Sequence, residues 1–175
     1  MYKIAIIGPE STGKSELSKA LAIHFNAHWV PEFSRTYCEN LAHDCTLEDE
    51  LNIFQGQLNL ERSIFKKSLF ENKNILICDT TIVTVKVWCE YVFNYCPDIV
   101  EYEFQNRHYD FYLLTNNDLP WQDDPLRNFP DKREYFFNLY LSLLKDKQAP
   151  FTIVKGVAEE RVQNAIQAIQ SYFKL

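Results

Sequence analysis

The chain has 175 residues, 46% of them hydrophobic and 24% charged, which suits one domain with a real core. Its formal net charge is −6 and no run of Lys or Arg exceeds two residues, which argues against duplex nucleic acid as a partner. No apolar run approaches the ~18 residues of a membrane span. Five cysteines (Cys38, Cys45, Cys78, Cys89, Cys96) form an odd set without C-x-x-C, so neither a disulfide framework nor a zinc site is expected. The chain enters a strand at once, so no signal peptide is expected, and cytoplasmic placement is the reading.

In chain order, Lys3–Ile7 reads as a strand rich in β-branched residues, and Lys14–Phe25 as an amphipathic helix. Between them Gly8 to Ser15 fit G-x-x-x-x-G-K-[ST], and two of the four glycines of the chain fall in this octapeptide. Strand, glycine turn and helix in that order make a phosphate cradle. Gly8 permits the sharp exit and Gly13 the close backbone approach, while backbone N–H groups of Glu10, Ser11, Thr12, Gly13, Lys14 and Ser15 turn inward at a helix N-terminus. Lys14 is expected to reach the β- and γ-phosphates of a nucleoside triphosphate, and the Ser15 hydroxyl to ligate Mg²⁺.

A second strand, Ala27–Pro31, leads to Glu32 and Arg35. Thr46-Leu-Glu-Asp49 is an N-capping signature for a long helix over Leu47–Glu71. Asn74–Asp79 is a buried apolar strand ending in an acid, the Walker B arrangement. Helices follow over Thr81–Tyr91 and Ile99–Asn106, then a strand over Tyr109–Thr115. The segment "TNNDLPWQDDPLRNFPD" (Thr115–Asp131) carries three of the seven prolines and no helical periodicity over seventeen residues, the mark of a lid, placed at about 116–131. A helix over Asp131–Lys145, a strand over Phe151–Lys155 and a helix over Glu159–Phe173 close the chain. Alternating β and α elements imply an α/β fold with a parallel sheet covered on both faces, one domain from 1 to 175.

In such sheets ligands sit at the carboxyl ends of the strands. Those ends bring Asp79 and Glu32 beside the triphosphate: Asp79 as the metal residue, Glu32 as the acceptor contact and candidate base, with Asp79 in reserve for that role. Arg35 is a candidate acceptor ligand. On the lid, Arg127 can fold over the transferring phosphoryl group and Trp121 can face the acceptor, with Arg133 a weaker candidate. Arg161, early in the last helix, can flank an adenine ring. Tyr37, Trp88 and Tyr91 are further aromatic candidates, although Trp88 and Tyr91 share a helical spacing with Val85 that suits packing.

Together "GPESTGKSELSKALA", "PEFSRTY", "ILICDTTIVTVKVW", "LLTNNDLPWQDDPLR" and "GVAEERVQNAI" resemble the ribosylnicotinamide kinase domain of the bacterial bifunctional NAD-biosynthesis regulator and its stand-alone relatives, a P-loop, AAA-like kinase family. The resemblance runs along essentially the whole chain in the same motif order. It implies a nucleoside- or nucleotide-kinase-like fold of five parallel strands with a lid, and a reaction of Mg·ATP with nicotinamide riboside to give nicotinamide mononucleotide and ADP. It further implies that Gly8 to Ser15 form the ATP loop, Asp79 the acidic strand residue and Arg127 the lid arginine. Pro125 stands where the family pattern has glycine. The nucleotidyltransferase and DNA-binding activities of the longer relatives are not implied for these residues. The competing readings are a kinase for another nucleoside or for a nucleoside monophosphate, which would need Arg35 or Arg107 at the acceptor, and a nucleotide-binding regulatory module. A GTPase switch is disfavoured, because Asp79-Thr-Thr-Ile82 is not D-x-x-G.

Overall fold

Ile4 to Ile7 and Ile75 to Cys78 are apolar at every position, so neither face of either strand can be left in water. Both lie inside the sheet, covered on each side. The computed structural model describes residues 1–175. Five strands, β1 (Tyr2–Ile7), β2 (His28–Val30), β3 (Ile75–Asp79), β4 (Phe111–Thr115) and β5 (Phe151–Val154), form one parallel sheet in the order β2-β3-β1-β4-β5. The helices are α1 (Lys14–His24), α2 (Phe33–Cys38), α3 (Leu47–Phe70), α4 (Ile82–Phe93), α5 (Asp98–Asn106), α6 (Arg133–Asp146), preceded by a 3₁₀ turn at Pro130–Lys132, and α7 (Glu159–Phe173).

Alternation along β1 divides the core. Ala5 and Ile7 join Leu76 and Cys78 beneath α3, α4, α5 and α6, while Ile4 and Ile6 join Ile75 and Ile77 against α1 and α7. The chain winds from β1 to β3 on one side and crosses to β4 on the other, so the switch point lies at the carboxyl end of β1. Register sets Ile6 opposite both Asp79 and Leu113, bringing the phosphate loop, Asp79 and the start of the lid to one edge.

The strands match the sequence expectation within a residue or two at their ends. So do the long helices, with the Asp131 start resolved into the 3₁₀ turn and α6. The capping box at α3 is complete: the Asp49 N–H donates to Thr46 Oγ1 (3.2 Å) and the Thr46 N–H to Asp49 Oδ2 (2.9 Å). Helix α2 was not expected. It is six residues long and has no side-chain cap, so tertiary contacts hold it. The Phe33 ring lies against Gly56 of α3, where a Cβ would come within 2.1 Å of it. Gln57 accepts from the Phe33 N–H (2.8 Å) and donates to the Pro31 carbonyl (3.3 Å), bracketing Glu32. A glycine inside a helix costs about 1 kcal/mol in propensity, and here it allows the approach that positions Glu32.

At the opposite end of the sheet, buried Glu61 accepts from Arg107 Nη1 (2.9 Å) and the Tyr109 hydroxyl (2.6 Å), with Lys3 Nζ at 3.5 Å. This network ties α3 to β1 and β4. All five cysteines are free thiols. No helix is long and apolar enough to cross a membrane.

Candidate active site

The loop after β1 is built around Gly8, whose φ is 145°. A Cβ there would lie 2.3 Å from Thr115 Oγ1 and 2.9 Å from the Thr115 carbonyl, so only glycine lets the loop cross the end of β4. Thr12 Oγ1 donates to the Pro9 carbonyl (2.8 Å) and accepts from Thr115 Oγ1 (2.7 Å), locking the loop from within. The backbone N–H groups of Gly13, Lys14, Ser15 and Glu16 find no acceptor inside the protein. They form the positive mouth of α1, an anion site by construction. Lys14 Nζ donates to the Pro9 carbonyl (2.8 Å). Burial pushes its ammonium below the usual value, and Glu32, Asp79 and Glu10 pull it back.

Asp79 is fully buried and neither carboxylate oxygen has a hydrogen-bond partner. Burial pushes its pKa up to about 6; the Ser15 hydroxyl, near but outside hydrogen-bonding geometry, opposes this, and Glu32 adds to it. Asp79 does not cap α4, because Thr81 does so by accepting from the Val83 N–H (3.3 Å). Between them Thr80 sits at φ 61°, a left-handed conformation that costs a β-branched residue on the order of 1–3 kcal/mol. A buried carboxylate with two bare oxygens beside a hydroxyl suits a divalent cation. Glu32 lies at the same edge, its Oε1 accepting from Ser34 Oγ (2.8 Å).

The lid is irregular from Asn116 to Phe129 and lies on the phosphate loop. Ser11, at φ 56°, accepts from the Gln122 N–H (2.8 Å). Glu10 Oε2 accepts from the N–H groups of Asn128 (3.3 Å) and Phe129 (3.2 Å). Burial still raises the Glu10 carboxyl, though these bonds, Lys14 and Arg127 oppose it. Arg35 Nη1 donates to Asp124 Oδ2 (3.0 Å), tying α2 to the lid. Arg127 Nη1 donates to the Gln122 carbonyl (2.6 Å), and its side chain reaches the site.

These parts surround a cavity of about 780 Å³. Its aromatic wall is Trp88, Phe129 and Phe136, with Trp88 5.4 Å from Phe129 and 5.7 Å from Phe136 between ring centroids. Carboxylates of Glu10, Glu32, Glu50, Asp79 and Asp124 also line it.

A family model described as an AAA domain matches residues 3–161. The chain belongs to that family. It is 29% identical over 155 residues to the trifunctional NAD biosynthesis/regulator protein NadR of Salmonella typhimurium and 28% identical over 158 residues to NadR of Escherichia coli, with 87% of this chain covered in each case. The match spans 38% of the length of those curated relatives. The resemblance seen in the sequence motifs is thus borne out. Among solved structures, a NadR protein in complex with NR superposes with a TM-score of 0.81 at 19% identity, covering 99% of this chain and 51% of that one. Thymidylate kinase from Ehrlichia chaffeensis superposes with a TM-score of 0.69 at 14% identity, covering 97% of both chains. This AAA-family chain shares the fold of these P-loop kinases, as the resemblance implied.

Of the residues singled out in the sequence, Gly8 to Ser15, Glu32, Arg35, Asp79 and Arg127 all line the cavity. Trp121 and Arg161 do not. Trp121 turns its Nε1 to Asp123 Oδ1 (2.8 Å). Arg161 is buried and gives its donors to the carbonyls of Gly156 (2.8 Å), Thr12 (3.0 Å) and Asn116 (3.4 Å) and to Asp118, so its guanidinium is a strut beneath the phosphate loop. Arg133 donates to the Leu119 carbonyl (2.7 Å) and steadies the lid. The sequence reading missed Phe129, Phe136 and Glu50, and gave Trp88 to packing. Nothing local marks these residues, because their shared wall joins α3, α4, the lid and α6.

Proposed function

We propose that this chain is an ATP-dependent nucleoside kinase whose preferred acceptor is nicotinamide riboside. The observation that carries the reading is the bare carboxylate of Asp79, with Glu32 beside it, between an open row of loop N–H groups and an aromatic, acid-lined cavity. The loop N–H groups and Lys14 bind the triphosphate, and the lid keeps bulk water from the γ-phosphoryl group. Glu32 accepts the proton of the acceptor's primary hydroxyl as its oxygen forms the new bond to the γ-phosphorus. The bond to the bridging β–γ oxygen breaks and ADP leaves. Arg127 neutralises charge on the equatorial oxygens. Ser15 and Asp79 fit Mg²⁺, which would offset phosphate charge when bound.

Acceptor choice rests on chemistry and kinship together. Nicotinamide riboside carries a flat cationic ring, suited to aromatic faces and carboxylates. The NadR relatives act in NAD biosynthesis by name, and NadR structures hold NR in one case and NAD with AMP-PNP in another. The monophosphate reading loses support, since Arg107 lies at the far end of the sheet with Glu61 and Arg35 is held by Asp124. ADP release with Mg·ATP, measured across nicotinamide riboside, other nucleosides and nucleoside monophosphates, tests the proposal. The expected result is highest kcat/KM with nicotinamide riboside. A better acceptor elsewhere in the panel overturns the acceptor, and silence across it with tight ATP binding overturns the kinase.

A further inference from the structure

We propose that Glu50 is a specificity residue that selects an acceptor with a positively charged ring over a neutral one. The inference rests on the kinase reading and extends it to the end of the cavity remote from phosphoryl transfer.

Glu50, Ile53 and Gln57 line the cavity from a single face of α3, at helical spacings of three and four. Gln57 is fixed to both peptide groups that bracket Glu32. Seven residues of helix, about 10 Å, then separate Glu50 from the catalytic edge, roughly the length of a nucleoside from its primary hydroxyl to the far side of its base. An acceptor with its hydroxyl at Glu32 and its base against Trp88 and Phe129 directs the base toward Glu50.

The surroundings of Glu50 give its charge no partner. The one polar contact is Cys45 Sγ, 3.7 Å from Oε1. The titratable neighbours are the thiols of Cys38 on α2, Cys45 on the following loop and Cys89 on α4, each held protonated by burial, and Asp49 on α3 itself. Asp49 is taken up by the capping box, by the Tyr37 hydroxyl (2.9 Å) and by His43 at 3.8 Å. No Lys or Arg figures among these neighbours. An acid in the first turn of a helix is ordinarily explained by the helix dipole, which holds the carboxyl low. Here burial outweighs it and pushes Glu50 up to about 7. A carboxylate kept without a cation on a cavity wall costs stability, and a cationic ligand would offset that cost.

The test is affinity, measured by calorimetry with Mg²⁺ and a non-hydrolysable ATP analogue, for nicotinamide riboside and for its uncharged dihydro form. Wild type is expected to favour the cation, and Glu50→Gln to lose about tenfold in affinity for it while binding of the dihydro form changes less than about twofold. Glu50→Asp, which keeps the charge, retains most of the preference. Wild-type affinity for the cation strengthens from about pH 6 to about pH 8 as Glu50 ionises, and the part of that slope due to Glu50 is absent in Glu50→Gln. Equal losses for both ribosides, or no loss for either, would overturn the assignment while leaving the kinase reading intact. Failure of wild type to bind either riboside would overturn both.

Discussion

Lys14, Asp79 and Glu50 carry charges that the fold holds at a cost, and each gives a measurable consequence. Lys14→Ala removes the cation from a loop already locked by Thr12 and Thr115, so kcat/KM should fall by at least ~10³-fold while Tm moves by less than about 3 °C. Near-normal turnover would break the assignment. Asp79 and Glu50 are raised by burial from 3.8 to about 6 and from 4.5 to about 7. A folded-state pKa above the unfolded one means that the native protein holds the extra proton. The stability it confers is full below the unfolded value and is lost as pH rises through the folded one. Thermal melts without nucleotide should therefore give a higher Tm near pH 5 than near pH 8. Asp79→Asn and Glu50→Gln should each flatten that slope by about 1–3 kcal/mol. A Tm that climbs with pH over this range would contradict the burial argument. At this scale the sequence was informative where chemistry is local: Gly8, Lys14 and Ser15 follow from an octapeptide. Arg161 and Trp121 lie outside the cavity, a placement the sequence did not show because the direction of a side chain depends on partners far along the chain. No neighbour of Arg161 in sequence reveals that the carbonyls of Thr12 and Asn116 converge on it.

Among the elements, the lid depends most on distant residues. Its composition marked it as irregular, but not its seat, which Glu10, Ser11 and Arg35 provide through three separate contacts. Arg127 rides on it into the cavity. Arg127→Ala should lower kcat by on the order of 10²–10³-fold with KM for the acceptor changed less than about threefold, since a cation aimed at developing charge acts mainly on the transition state. A pure KM effect in steady-state kinetics would recast Arg127 as a binding residue. Helix α2 escaped the sequence reading because six residues without a cap carry no periodic signal. Its cause is the fit of Phe33 onto Gly56, visible only once both are placed.

For the whole molecule, continuous apolar strands alternating with helices made a parallel, doubly covered sheet legible from sequence, because only burial on both faces tolerates such strands. The order β2-β3-β1-β4-β5 was not legible, and with it went the composition of the aromatic cavity wall. The two ends of the sheet divide the labour, phosphate loop and carboxylates at one and the Glu61–Arg107–Tyr109 network at the other. Glu61→Ala takes the shared buried acceptor from Arg107, which keeps only the part-exposed Glu103, and from the Tyr109 hydroxyl, and should destabilise the fold by about 3 kcal/mol, seen as a Tm lower by roughly 10 °C, with kcat preserved well below that Tm. Lost activity without lost stability would place the network in the site. Transfer of the γ-phosphoryl group to a nucleoside hydroxyl is the step on which the proposed function stands. It is tested most directly by single-turnover reaction with γ-labelled ATP and nicotinamide riboside, the products being identified by mass spectrometry. The label is expected on nicotinamide mononucleotide in step with ADP formation; label appearing only as inorganic phosphate, or remaining in ATP, would rule that transfer out.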